Sequence, residues 1–322
     1  MNPYIGHSSQ LSGVEEHRLI GGKGDGMRLF IANNGRGLEL TATPSRNGDI
    51  TRLRFKGVNL SYMTACGYVA PEFYDKENWL KNFTAGFMTT CGYNNIGIPC
   101  TDNGEKLYLH GTIGNTPCSN SYFTEDDEFI NLCFTVNDEV IFGQKFTNNR
   151  VIKISKSQDV FYIEDTVENT GDREDPLCVL YHLNMGYPLL DEDSIVKIPS
   201  TTVVGRDQHA QDDIKNHLKM EKPQARYQER CYYHKFENTP CNATIFQPKL
   251  NVGLKITYES DNLDTFVEWK QMGIRDYVLG LECGNNYLEG RDDLRKRNLL
   301  NTLKPGCKEV FKIKVELLEK LS

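Results

Sequence analysis

The chain lacks the marks of several protein classes. No apolar run approaches the roughly 18 residues that a membrane-spanning helix needs, so a helical membrane protein is not expected. The start, Met1-Asn2-Pro3-Tyr4-Ile5-Gly6-His7, has no basic segment leading into an apolar one, so no secretory signal is expected. Cysteines stand at 66, 91, 100, 118, 133, 178, 231, 241, 283 and 307, and no two are close enough for a zinc-ribbon or redox pair. Many lie in apolar contexts. In the absence of an export signal they read as reduced, mostly buried thiols of a cytoplasmic protein. There is no Gly-x-Ser-x-Gly nucleophile elbow. The glycine-rich stretch Gly21-Gly22-Lys23-Gly24-Asp25-Gly26 follows no strand and lacks the lysine–hydroxyl pair of a phosphate-binding loop. A formal net charge of −7 repels phosphate backbones and anionic bilayers, so neither nucleic acid nor a membrane is an expected partner. No sustained 3.6-residue period, internal repeat or low-complexity linker is visible.

What remains is a chain of 322 residues, 39% apolar and 25% charged, able to bury a core. Alternation with a period of two dominates it. Phe311, Ile313, Val315 and Leu317 alternate with Lys312, Lys314 and Glu316, and Ile130, Leu132, Phe134 and Val136 follow the same rule. Leu254, Ile256 and Tyr258 do so too, as do Leu53 and Phe55 among Arg52, Arg54 and Lys56. Turn pairs punctuate these runs: Asn34-Gly35, Asn47-Gly48, Asn103-Gly104, Thr170-Gly171 and Pro305-Gly306. The segment from Asp207 to Lys222 is polar and reads as a long loop with a short helix. The pattern predicts one all-β domain with large antiparallel sheets.

Several segments carry polar groups where a plain strand would carry core residues. In Tyr108-Leu109-His110-Gly111, glycine lets the backbone turn sharply and leaves an imidazole accessible. In Val179-Leu180-Tyr181-His182-Leu183-Asn184, an apolar strand sets His182 and Asn184 on one face before ending at Gly186 and Pro188. Glu282 closes the apolar run Tyr277–Leu281, where a carboxylate is costly unless paired or wetted, and where a raised pKa would suit a general base. The stretch Phe87–Gly97, with Asn94, is rich in the hydroxyl and amide groups that bind sugars. Each of these features also suits a plain structural role. His110, His182 and Glu282 match no compact metal motif, so no metal and no cofactor is expected.

Taken in order, these segments resemble the galactose mutarotase (aldose 1-epimerase) superfamily, and more closely its uncharacterised aldose-epimerase-like branch. The likeness is carried by Thr89-Thr90-Cys91-Gly92, by Leu109-His110-Gly111 running on through Asn115 to Pro117, by His182 to Pro188, by Trp269 to Gly273, and by Gly280-Leu281-Glu282. It spans roughly residues 25 to 318. Cys283 departs from the proline that follows the glutamate in most relatives.

The resemblance implies a β-supersandwich over residues 25–322, with residues 1–24 as an N-terminal extension. It also implies a monosaccharide cleft in which Glu282 is the base, His182 the acid, and His110 the group that polarises the sugar. At rest, Glu282 would be ionised and His182 protonated. Arg46, Asp49, Asn94, Asn115, Asn184, His234, Trp269 and Lys270 are the expected substrate-binding residues. Glu229 is placed near the cleft edge, and Trp269, Tyr187, Tyr93 and Phe87 are candidate stacking rings. The implied reaction interconverts anomers by acid–base ring opening in a monomer or homodimer. A non-catalytic sugar-binding protein and an epimerase acting at a carbon centre need much the same cleft. A glycoside hydrolase usually needs two carboxylates flanking the bond, and only Glu282 is nominated for that role.

Overall fold

The computed structural model describes residues 3–321. Two large sheets dominate it. The larger has eleven strands, and its main path runs Gly13–Arg18, Arg28–Asn33, Leu38–Thr43, Asp49–Phe55, Met88–Tyr93, Cys178–Met185, Tyr277–Gly284, Thr265–Met272, Arg230–Lys235 and Thr202–Gly205. Val58–Asn59 pairs off the side of Asp49–Phe55. The second sheet has eight strands: Asn120–Glu125, Phe129–Glu139, Lys145–Ser155, Val160–Asn169, Lys308–Leu318, Val252–Tyr258, Cys241–Gln247 and Ile195–Lys197. The sheets are antiparallel throughout these pairings, and the architecture is the predicted mutarotase-like β-sandwich. Gly13–Arg18, expected in an N-terminal extension, forms the edge strand of the larger sheet against Arg28–Asn33.

Alternation decides what each face does. Along Lys308–Leu318, the residues Phe311, Ile313, Val315 and Leu317 are buried, as are Ile130, Leu132, Phe134 and Val136 of Phe129–Glu139. They meet Phe87, Tyr181, Leu183, Leu279 and Leu281 of the larger sheet in one continuous apolar core. Ring contacts cross between the layers, Phe87 to Phe161 at 6.0 Å and Tyr181 to Phe311 at 6.2 Å. Cys178–Met185 is buried at every position because its second face is covered as well. On that outer face Cys178, Leu180, Val267 and Val278 pack with Trp79, Phe83 and Leu288. The polar segment after Asp207 contains a short helix, Gln208–Asp212, and a single 3-10 turn, Ile214–Asn216, as expected. No helix of the described residues is long and apolar enough to cross a membrane. All ten cysteines are free thiols; Cys91, Cys178, Cys231, Cys241 and Cys283 are buried.

A fully buried ion network bolts the two sheets together. Arg150 of the smaller sheet pairs with Asp165 at 2.6 Å and with Asp49 of the larger sheet at 2.8 Å. It also donates to Thr90 Oγ1 at 2.7 Å and to the Asn47 carbonyl, while the Tyr181 hydroxyl donates to Asp165 at 2.7 Å. Burial raises the pKa of Asp49, and Arg150 and Thr90 pull against that rise. Asp49 is therefore a structural counter-ion rather than the expected sugar ligand. Arg46 is corrected in the same way. Its buried guanidinium donates to the carbonyls of Gly114, Val69 and Asn82 and to Thr84 Oγ1, which tie the preceding turn to the surrounding loops.

Removing one partner of such a network strands buried charge, at about 3–5 kcal/mol. Arg150→Met should lower the urea unfolding free energy by about that amount. A loss below about 1 kcal/mol, the range of exposed ion pairs, would mean that the network is not what locks the layers.

Candidate active site

Strand register creates the central pair. Cys178–Met185 lies against Tyr277–Gly284 with Tyr181 opposite Cys283 and Asn184 opposite Gly280, so His182 stands directly across from Glu282. Their side chains share the outer face of the larger sheet, away from the core. Directly opposed residues have Cβ atoms about 5 Å apart, within reach of one another. His182 Nε2 lies 3.3 Å from Glu282 Oε1. Gly280 leaves the room this needs: a Cβ there would sit 2.2 Å from Glu282 Oε1.

His110 arrives on a loop. Its backbone has φ of 55°, its N–H donates to the Gly97 carbonyl, and its carbonyl accepts from Gly92. Gly111, also at positive φ, is the residue that permits this turn, since a Cβ would come within 2.3 Å of the Gly92 carbonyl. The Gly97 N–H reaches His110 Nδ1 at 3.4 Å, which favours the tautomer with its proton on Nε2. The His110 and His182 rings are 5.8 Å apart.

Aromatic side chains wall the site. Trp79 lies 4.9 Å from the His110 ring, Phe83 5.3 Å from His182 and Trp269 5.2 Å from His182. With Leu109, Val267, Leu288 and Cys231 they line a cavity of about 230 Å³. That is smaller than the roughly 300–1,000 Å³ of sites for drug-sized ligands, and in proportion for one small polar molecule. At its rim Arg206 pairs with Glu229 at 3.2 Å, and Glu229 accepts from Trp269 Nε1 at 2.8 Å.

This apolar wall sets the electrostatics. Burial raises Glu282 well above the ordinary carboxylate value; Glu229 adds to the rise and Arg206 opposes it. Burial lowers His182 to about 3, with a further contribution from His110. Burial, followed by the charge of Arg206, lowers His110 to about 4. Both members of the pair are thus driven to their neutral forms. This direction opposes the resting ion pair that the resemblance implies, because both groups are desolvated and the opposite charges of Arg206 and Glu229 at the rim largely offset one another. Glu282 Oε1 and His182 Nδ1 have no hydrogen-bond partner among the described residues.

The cavity brings together His110, His182, Glu282, Trp269 and Glu229 from the sequence expectations. It does not take Lys270 or His234, which face the other side of the sheet. The Lys270 ammonium is 3.2 Å from Glu221 and from the Asn216 carbonyl, and reaches the Lys219 carbonyl at 2.5 Å. His234 contacts Ser200 and Glu268. Asn184 is buried, donates to the carbonyl of His182, and does not line the cavity. Asn94 lies beside Gly111, and Asn115 is buried on the short turn Ile113–Asn115; neither lines the cavity. Among the candidate rings, Tyr93 and Phe87 are core residues and Tyr187 is on the surface. Sequence reasoning missed Trp79, Phe83 and Arg206. The available signal was Trp79, one of only two tryptophans, standing in the polar run Asp75-Lys76-Glu77-Asn78.

Comparison with known proteins bears on the fold. Among solved structures, a Klebsiella pneumoniae protein described as a candidate aldose 1-epimerase superposes with a TM-score of 0.89 at 23% identity, covering 97% of this chain and 86% of its own. A galactose mutarotase-like protein from Clostridium acetobutylicum gives 0.72 at 16% identity, covering 96% and 99%. A galactose 1-epimerase from Lactobacillus acidophilus gives 0.65 at 12%, covering 95% and 98%. At these identities the likeness is one of fold. No curated protein matches the chain. Residues 24–317 match the family described as domain of unknown function DUF4432, and to that family the chain belongs.

Proposed function

We propose that the protein is a cofactor-independent aldose 1-epimerase that interconverts the anomers of a monosaccharide. The reading rests on one observation: a carboxyl and an imidazole stand 3.3 Å apart in an aromatic-walled cavity, where burial favours the neutral form of each. Ring opening of a cyclic sugar moves one proton from the anomeric hydroxyl to the ring oxygen. A neutral acid beside a neutral base suits that transfer.

The steps balance as follows. The Glu282 carboxylic acid gives its proton to the ring oxygen as the C1–O5 bond breaks. His182 takes the proton of the anomeric hydroxyl as the carbonyl forms. The pair is then carboxylate and imidazolium. After rotation about C1–C2, the ring oxygen attacks the other carbonyl face. Carboxylate recovers the proton from that oxygen, and imidazolium protonates the new anomeric oxygen. The pair holds one mobile proton throughout, and each partner is acid in one direction and base in the other. His110, with its proton on Nε2, donates a hydrogen bond to a sugar oxygen, and Trp79, Phe83 and Trp269 stack on the apolar face of the ring. The dry wall strengthens each of these contacts.

Each acid–base group contributes about 10²–10⁴ in rate. Glu282→Gln and His182→Ala should each lower kcat by about that factor, with binding of the same sugars retained. Polarimetry on freshly dissolved α-D-glucose, α-D-galactose and α-L-arabinose reads the rate. Turnover near that of the unmodified protein in either variant would remove that residue from the mechanism. Deuterium appearing at a sugar carbon in heavy water would point instead to epimerisation at carbon.

The pH profile carries a sign. Raised Glu282 and lowered His182 keep the active neutral pair intact across the middle range, so kcat/KM should show no inflection near the ordinary histidine value of about 6.5. Activity should fall as pH rises through the elevated pKa of Glu282 and its acid form is lost. A profile that climbs as pH rises through about 6.5 would mean that His182 titrates as an ordinary imidazole and would contradict the neutral pair.

A further inference from the structure

On the opposite face of the larger sheet, away from the cavity, His217, His234 and Glu268 converge. His217 Nδ1 lies 2.7 Å from Glu268 Oε2, and His234 Nε2 lies 3.1 Å from the same oxygen. The two imidazole rings are 5.4 Å apart at their centres. All three ligand atoms fall within 4.8 Å of one another. His234 and Glu268 are fully buried; His217 is half-buried, on the segment that closes over this end of the sheet.

We propose that these three side chains form a binding site for a first-row divalent cation, with zinc as the reference ion. Two imidazoles and one carboxylate are a zinc donor set, and zinc contacts of about 2.0–2.2 Å are reached from this spacing by small side-chain rotations. Three observations argue for a cation here. Glu268 has no lysine or arginine partner among the described residues; the nearby ammonium of Lys270 is engaged by Glu221 and two backbone carbonyls. Glu268 Oε1 is buried with no hydrogen-bond partner, and so is the Tyr232 hydroxyl, whose ring centre lies 5.6 Å from that of His217. Ser200 Oγ sits 2.9 Å from His234 Nδ1, the position of an outer group that orients a ligating histidine.

Ligation needs no redox partner. The proton on His234 Nε2 gives way to one on Nδ1, which then donates to Ser200 Oγ. The proton on His217 Nδ1 gives way to one on Nε2, on the half-buried side. Both imidazoles bind as neutral ligands, the Glu268 charge is compensated, and a water near Tyr232 completes four-coordination. The ion pins His217 to the sheet. The covering segment begins just after Arg206, a cavity residue, so the site is structural support for the cavity rather than part of its chemistry.

The test uses the full chain, treated with EDTA, dialysed, and equilibrated with Zn²⁺ or Co²⁺. Metal analysis should find one equivalent of zinc retained per chain. His217→Ala and Glu268→Gln should each abolish that equivalent, and Ser200→Ala should weaken it by about 10–100-fold. With Co²⁺, visible bands of a four-coordinate ion should appear without a thiolate charge-transfer band. Far-ultraviolet circular dichroism checks that the variants fold. The proposal is overturned if the unmodified chain retains no zinc, if folded His217→Ala and Glu268→Gln retain as much as it does, or if Co²⁺ shows thiolate ligation.

Discussion

A carboxyl group and an imidazole face each other across two adjacent antiparallel strands, walled by three aromatic rings, and the remaining features of the site follow from holding them there. Register places His182 opposite Glu282. Gly280 supplies the volume that the carboxyl needs. Desolvation raises the acid and lowers the base, which favours the neutral arrangement of the pair. Among the described residues, the charged side chains that line the cavity are Arg206 and Glu229, which largely cancel one another at the rim. A fixed cation deeper in the cavity would ionise Glu282 and remove the acid.

The larger sheet separates two jobs by the alternation of its side chains. Trp269 points into the cavity while its neighbours Glu268 and Lys270 point the other way. Cys231 faces the cavity, whereas His234 lies beneath the sheet. Further along, Tyr181 bonds to Asp165 on the inner face and His182 reaches Glu282 on the outer face, one residue apart. The strand that carries His182 is therefore anchored by the Arg150 network directly behind it. The buried polar groups fall accordingly: the Arg150 network ties the sheets, His182 and Glu282 face the cavity, and His217 on the covering segment meets Glu268.

The fold was legible in the sequence because alternation is a local signal. Phe311, Ile313, Val315 and Leu317 declare a half-buried strand without knowledge of any partner. His182 and Glu282 were legible for a related reason: each interrupts an apolar strand with a group that is costly to bury. Their pairing was not, since register between strands a hundred residues apart is set by the whole sheet. Period two could have excluded Lys270 once Trp269 was assigned to the cleft, because neighbours on a strand cannot share a face. Arg46 and Asp49 were assigned to the cleft by the resemblance alone, and here both are buried and engaged by protein groups. Trp79 and Phe83 come from a short irregular segment with no periodicity to reveal which way it faces.

The protonation state of Glu282 is the most direct measure of this account. Infrared difference spectroscopy of the folded protein near neutral pH, with Glu282→Gln as the reference, isolates the carboxyl stretch of this one side chain. The neutral-pair account predicts a protonated carboxylic acid band that disappears in the variant. A carboxylate band in its place would contradict it, and with it the roles assigned to Glu282 and His182.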